Sequence, residues 1–271
     1  MPELPEVESV RQTLTPQIVG RSVAKAVVDI GKLAKPDPRT FARGLQGRRV
    51  RASRRQGKLI IMELDDDRFW TIHLGMTGQL IMAPDRPEAS HVHIRVDFDD
   101  QGYSLFYRDV RCFGTMGFWC DQAALLAGPL ARMGPDALHM SDDVFVERLT
   151  KRQAPLKAVL LNQLLLAGVG NIYADEALHR ARLSPLARPA ELPAKDLARL
   201  NQCLQEILTE ALAQGGSSVR NFVDAHGRPG TFQEVHRVYQ RVGLPCPACG
   251  AAVQKIVLAS RSTHFCPECQ K

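Results

Sequence analysis

The stretch LLLAGVGNIYADEAL, residues 164–178, decides how the second half of the chain is read. An apolar helical end runs into Gly168-Val169-Gly170-Asn171, and a new helical pattern begins at once. Glycine at a helix C-terminus accepts a left-handed backbone, and Asn171 is a good N-cap. The spacing predicts a helix–turn–helix joint whose turn offers backbone N–H groups at a helix start, a ready anion site. An ordinary tight connection, with Asn171 serving only as cap, satisfies the same residues, so the joint alone does not settle function.

On either side the pattern stays helical. Residues 141–152, 155–167, 171–182 and 194–214 carry apolar positions at helical spacing, with Ser141 and Asp142 as N-caps of the first. Gly215-Gly216 ends the last helix, and SSVRNFVDAHGRPGTF (217–232) reads as a loop. Upstream the texture changes near GPLARMGPDAL (128–138). Before it, residues 22–30, 58–64, 69–76, 91–98, 103–110 and 114–120 read as strands separated by Gly, Asp or Pro. No strand is regularly followed by a helix, which favours an antiparallel sandwich. Val7, Val10, Leu14 and Ile18 place one helix ahead of these strands. The expected fold is therefore α+β and multidomain. A β-sandwich with an N-terminal helix spans 1–130, a linker 131–140, a helical domain with its loop 141–232, and a small tail 233–271.

Four of the seven cysteines lie in the tail. Cys246-Pro-Ala-Cys249 and Cys266-Pro-Glu-Cys269 flank an alternating segment that reads as a β-hairpin. Two such pairs suit a closed tetrahedral zinc site, with no open position for catalysis. Two disulfides or four unrelated thiols are the other readings. The spacing and the absence of a secretory signal favour one structural zinc ion, which would fold a tail too short to build its own core. Lys255, Arg261 and His264 lie between the pairs, as in a zinc module that meets phosphates, although a purely structural tail fits them too.

The chain of 271 residues is 45% hydrophobic, enough for a packed core. It has no apolar run of transmembrane length and an acidic rather than basic start, so a cytoplasmic protein is expected. Lys and Arg number 35 against 29 Asp and Glu, a net charge of +6 that favours an anionic partner without requiring one. Arginines cluster in GRRVRASRRQGK (47–58), which strengthens the case for nucleic acid. Cys112, Cys120 and Cys203 read as reduced thiols.

The first residues, MPELPEVESV, are acidic for so basic a chain. Pro5 suits a first helical turn, and Glu6 and Glu8 complement the helix dipole. Pro2 and Glu3 are left over. Removal of Met1 would leave a proline secondary amine, and an α-amino group at pKa ~8 is far more often free base than a lysine. Such an amine can attack an aldehydic carbon and form a Schiff base, with the neighbouring carboxylate moving protons.

PELPEVE, HLGMTG (73–78), RDVRCFG (108–114), GVGNIYADEAL (168–178) and the four-Cys hairpin occur in this order. Together they resemble the formamidopyrimidine-DNA glycosylase family of bacterial base-excision repair, over essentially the whole chain. The resemblance implies a bifunctional glycosylase and lyase that removes 8-oxoguanine and formamidopyrimidines from duplex DNA and then cuts the abasic strand. Pro2 matches the nucleophile and Glu3 the general acid/base. Lys58 matches the proton donor for β-elimination, Arg261 the donor for δ-elimination, and Glu6 a second acid near the pocket. Met76, Arg111 and Phe113 match the side chains that fill the void left by the everted base, with types that suit the task. His91, Arg152, Lys157 and Asn171 match DNA-contacting positions. Cys246, Cys249, Cys266 and Cys269 match the zinc ligands, the helical domain a helix-two-turn-helix module, and residues 217–232 a mobile element over the lesion. DNA is expected sharply bent in a basic cleft between the domains, bound by a monomer in the bacterial cytoplasm and on the nucleoid.

Two positions depart from the family pattern. Cys112 stands where Arg or Lys is usual beside the Phe. Arg152 aligns loosely, so Lys151 is an alternative contact. An endonuclease VIII-like enzyme for oxidised pyrimidines shares the proline, joint and hairpin. It differs by a PEGPE-type start and an incomplete Met76/Arg111/Phe113 set. A non-catalytic DNA-binding zinc protein is the reading from another class.

Overall fold

A computed structural model describes residues 2–99, 102–219 and 221–271. Met1, whose removal the sequence reading expects, lies outside the described residues. The chain divides into two compact units, Met1–Ala131 with Gly215–Gly230 and Arg132–Gln214 with Thr231–Lys271. This cuts the chain differently from the motif boundaries. Residues 217–230 pack with the N-terminal unit, and the four-Cys tail packs with the helices. Among the described residues no helix is long and apolar enough to cross a membrane.

The first unit begins with α1 (Leu4–Ile18), whose Val7, Val10, Leu14 and Ile18 are all buried, as their spacing predicts. Two sheets follow. One is antiparallel, in the order β1 (Val23–Val28), β7 (Val92–Phe98), β8 (Ser104–Asp109), β6 (Gly78–Ala83). The other runs β2 (Ala34–Lys35), β9 (Thr115–Trp119), β5 (Phe69–His73), β4 (Leu59–Leu64), β3 (Val50–Gln56), parallel only between β2 and β9. Their inner faces and α1 share one core that includes Trp70, Ile72, Val96, Leu105 and Tyr107. Two short helices, α2 (Pro38–Leu45) and α3 (Gln122–Ala127), complete the unit.

β3 coincides with the arginine cluster, and its pairing explains those charges. Arg48 binds Asp66 at 2.7 Å, Arg54 binds Glu63 at 3.0 Å, and Arg55 binds Glu8 at 3.1 Å. Arg51 lies 3.5 Å from Asp67, and Arg49 donates to the Gly20 carbonyl at 2.7 Å. The cluster is therefore engaged largely within the fold, so its contribution to a phosphate-binding stripe is smaller than the sequence suggests.

The second unit packs α4 (Asp142–Leu149), α5 (Leu156–Leu160), α6 (Asn171–Arg180) and α7 (Ala194–Ala213) beside a hairpin of β10 (Gln254–Leu258) and β11 (Arg261–Phe265). Ser141 caps α4 as expected, its hydroxyl accepting from Val144 N at 3.4 Å. The helix expected over 155–167 stops at Leu160. Polar side chains beyond that point compete for the backbone: Asn162 Oδ1 accepts from Leu164 N at 3.0 Å, and Gln163 Oε1 accepts from Gly168 N at 3.0 Å. Residues 161–170 thereby become a turn region rather than helix.

Candidate active site and nucleic-acid interface

Pro2 and Glu3 are buried at the start of α1. Glu3 is the N-cap and forms a reciprocal capping box with Glu6, whose Oε2 accepts from Glu3 N at 2.7 Å. The other Glu6 oxygen accepts from Ser217 N at 2.7 Å. One buried carboxylate thus joins the backbone beside the candidate nucleophile to the candidate lesion loop. Gly216 makes this approach feasible: it has φ +84°, and an added Cβ would lie 2.7 Å from Glu6 Oε1. Farther along the loop, Ala225 N donates to Thr13 Oγ1 at 3.1 Å, and Gln79 Nε2 donates to the Asn221 carbonyl at 2.7 Å.

Glu8 does more than complement the helix dipole. It is almost buried and accepts from Arg11 Nε at 3.0 Å and Arg55 Nε at 3.1 Å. Burial disfavours its charge, but the Arg11 and Arg55 guanidinium groups and Gln12 more than offset this and hold its carboxyl below the usual range. Arg55 also donates to the Gly57 carbonyl at 2.8 Å, steadying the tight turn that carries Lys58. Lys58 is largely buried. Its near neighbour His73, which opens HLGMTG, pairs with Leu59 across β4 and β5. Burial, then the Lys58 charge, lower the His73 pKa, while Asp109 partly opposes them. Gly75 N donates to His73 Nδ1 at 3.3 Å, which leaves the ring proton on Nε2.

Met76 is half-buried, and Arg111 and Phe113 are exposed. Their two loops touch through backbone. Gly75, at φ +63°, leaves so little room that a Cβ there would lie 2.7 Å from the Phe113 carbonyl carbon. Asp109, fully buried, fixes both loops: its carboxylate accepts from Thr77 Oγ1 at 2.5 Å, Gly114 N at 2.8 Å and Arg111 N at 3.3 Å. Burial works against ionisation of Asp109, but these donors and Tyr107 keep its pKa below the ordinary value. The Arg111 guanidinium lies over the Phe113 ring, 4.7 Å from its centroid. Cys112 turns inward at φ +52°, with its sulfur 3.5 Å from His93 Nε2, where an arginine would carry a charge. His91 is exposed, at φ +66°, with its ring edge-on to His93.

In the second unit Arg152, Lys151 and Arg261 are exposed. Lys157 is not: its ammonium is fully buried, 2.6 Å from Asp175 Oδ1, and donates to the Ser262 carbonyl at 2.8 Å. The sequence reading expected a phosphate contact there. A buried ammonium needs a buried counter-charge, and Asp175 supplies it. The capping role read for Asn171 is also corrected. Gly170 is the N-cap of α6, and Asn171 Nδ2 donates to the same Ser262 carbonyl at 2.9 Å. Glu176 is buried and accepts from Arg237 N, Val238 N and Tyr239 N at 2.9, 3.0 and 2.8 Å. The signal for Asp175 and Glu176 is present as DE within the joint motif, but Glu176's partners lie 61 to 63 residues away, and Asp175 reaches His264, 89 residues on, as well as Lys157.

The Sγ atoms of Cys246, Cys249, Cys266 and Cys269 all lie within 4.8 Å of one another. The pairs Cys246–Cys269 and Cys249–Cys266 are 3.9 and 3.4 Å apart. A tetrahedral ion with Zn–S bonds of about 2.3 Å sets its sulfurs roughly 3.8 Å apart, so these four fit zinc. His179 Nε2 lies 3.3 Å from Cys246 Sγ, an outer-shell contact of the kind that orients a ligand.

Family models match in three consecutive blocks. Residues 1–116 match the formamidopyrimidine-DNA glycosylase N-terminal domain, 133–223 its H2TH domain, and 243–271 the zinc finger found in FPG and IleRS. The chain belongs to the formamidopyrimidine-DNA glycosylase family. A formamidopyrimidine-DNA glycosylase of Heliobacterium modesticaldum is 45% identical over 279 residues, covering all of both chains. A Lactococcus lactis FPG mutant, solved with a Fapy-dG containing DNA, superposes with a TM-score of 0.92 at 35% identity over all of both chains. The Lactococcus lactis Fpg in complex with an abasic site containing DNA gives 0.90 at 35% identity, covering 99% of each. Like other formamidopyrimidine-DNA glycosylases, the chain combines a sandwich, an H2TH domain and a four-cysteine zinc finger.

Proposed function

We propose that Pro2 is the nucleophile of this enzyme and Glu3 its proton-transfer group. The chain is a base-excision DNA glycosylase for oxidised purines with abasic-site lyase activity, and its partner is lesion-bearing duplex DNA. The observation that carries the residue assignment is the start of α1, where Pro2 and Glu3 are buried together and Glu6 binds both Glu3 N and the loop at Ser217.

The steps follow from the groups present. The Pro2 amine attacks C1′ of the damaged nucleotide, and the base departs with the glycosidic electron pair. Glu3 protonates the opening sugar, and loss of the amine proton gives the Schiff base. Removal of a C2′ proton then expels the 3′ phosphate, with Lys58 as the proton donor of this β-elimination. Arg261 assists the second, δ-elimination. Met76, Arg111 and Phe113 fill the vacated stack, which offsets part of the few kcal/mol that eversion costs. Arg152 or Lys151, His91 and Asn171 meet the DNA. The zinc ion holds the finger in shape and takes no chemical step. The setting is the bacterial cytoplasm, on the nucleoid.

Borohydride trapping on 8-oxoguanine:C duplex, followed by mass analysis of the N-terminal peptide, tests this. The expected result is a Pro2-linked adduct on a chain lacking Met1. An adduct elsewhere, or a trapped chain that retains Met1, overturns the assignment.

A further inference from the structure

We propose that Asp175 is a positioning residue for strand scission. It sets the place of Arg261 by fixing the hairpin strand that carries it. The proposal rests on the reading of Arg261 as the donor for δ-elimination.

Asp175 is buried in the second turn of α6 and uses both oxygens on β11 or its support. Oδ2 accepts from His264 N at 2.9 Å and lies 2.9 Å from His264 Nδ1. Oδ1 lies 2.6 Å from Lys157 Nζ, which donates in turn to the Ser262 carbonyl at 2.8 Å. Asn171 Nδ2 donates to that carbonyl as well, at 2.9 Å. The backbone of β11 is thus gripped at residues 262 and 264 by groups from α5 and α6. Arg261, adjacent to Ser262, is exposed and follows a turn in which Ala259 and Ser260 have φ +48° and +58°. The strand on the other side, β10, is mostly exposed.

Zinc cannot supply this placement alone. The last two ligands, Cys266 and Cys269, follow β11, and Arg261 lies at its opposite end. The metal fixes the root of the hairpin, while the Asp175 network fixes the strand near its tip. A buried ion pair is weak evidence for stability, because its desolvation offsets its attraction. Its value here is directional, since a carboxylate with both oxygens engaged admits one register of β11.

In the step concerned, a proton leaves C4′, the C5′–O bond breaks, and the electron pair departs with the 5′ phosphate. A guanidinium helps only if it reaches that phosphate oxygen as charge develops, and a misplacement of about 1 Å can cost roughly a hundredfold.

The test measures β- and δ-elimination rates on abasic duplex for wild type, R261A, D175N and H264F, with trapping yield and zinc content alongside. H264F keeps an aromatic ring against Tyr239, 4.9 Å away in the wild type, and removes only the side-chain contact to Asp175. For D175N the expected result is a δ-elimination rate lowered about tenfold or more. Its trapping and β-elimination should stay near wild type and its zinc should be retained. H264F should lower the δ rate by a smaller factor. Wild-type δ-to-β ratios in D175N and H264F, with R261A defective, overturn the positioning role alone. Unchanged δ-elimination in R261A overturns the reading of Arg261 and the proposal with it. Should D175N lose zinc, H264F decides: a lowered δ-to-β ratio supports the proposal and a wild-type ratio overturns it.

Discussion

Two helix starts in this protein use buried acids in opposite ways. At α1 the acids sit in the first turns, around a chain end. Glu3 caps the helix, and Glu6 closes the capping box and reaches Ser217 N at 2.7 Å. At α6 the acids sit a turn later and face inward, where Asp175 grips β11 and Glu176 accepts three backbone N–H groups from residues 237–239. The difference teaches that an acidic helix start has no fixed meaning. In the first turn a carboxylate can border a reacting group. One turn deeper it becomes an anchor for a remote segment.

The largest expected effect breaks the α1 side of the comparison. A chain whose N-terminal amine is blocked, by retained Met1 or by acetylation, should lose at least about a thousandfold in incision, because the amine proposed as the nucleophile is gone. Its melting temperature should stay near wild type. Comparable incision by free and blocked chains would remove Pro2 from the mechanism.

The α6 side should break differently. Glu176→Ala strands three N–H groups, each costing about 1–3 kcal/mol when left unpaired in the interior. Denaturant unfolding should show a loss of about 3 kcal/mol or more, with residual activity of the folded fraction near normal. A stable variant with failed chemistry would erase the distinction between the two helix starts.

A pH titration sharpens the contrast from the α6 side. His236, between the Phe232 and Tyr239 rings, is held down to about 4 by burial first and by His264 second. The unfolded chain binds this proton near pH 6.5 and the folded chain does not, so stability is lost as pH falls from about 6.5 to 4. The loss from this group approaches about 3 kcal/mol at the acid end. His236→Gln should flatten that slope in the second unit. Glu8 and Asp109 in the first unit have depressed pKa values, so their contribution persists to lower pH and fades as pH falls below about 4.

The smallest effect concerns the void-filling loop. Cys112→Arg supplies the charge expected beside Phe113 from the resemblance. It should tighten DNA binding by a few-fold and raise the salt slope by about one. An unchanged slope would mean that this side chain does not face phosphate.

Much of this was legible in the chain. The hydrophobic period of α1, the capping residue Ser141, the start of α6 at Asn171 and the Cys spacing are local signals, and each appears where the sequence put it. What failed was signal that depends on a distant partner. β3 was hidden because its arginines read as a free cationic cluster, whereas their counter-charges are supplied by Glu8, Glu63 and Asp67. The helix over 155–167 was overdrawn because apolar periodicity does not reveal that Asn162 and Gln163 turn their side chains onto the backbone.

The sequence by itself determined the family and the four-cysteine zinc site, because motif identity and short-range spacing suffice for those. Only the tertiary structure decided that Lys157 is buried rather than exposed, that Asn171 holds Ser262 rather than capping its own helix, and that Glu6 ties the 215–230 loop to the start of α1. The reason is physical. The role of a charged side chain depends on which partner desolvates with it, and here those partners lie from 18 residues away for Lys157 and Asp175 to 211 for Glu6 and Ser217.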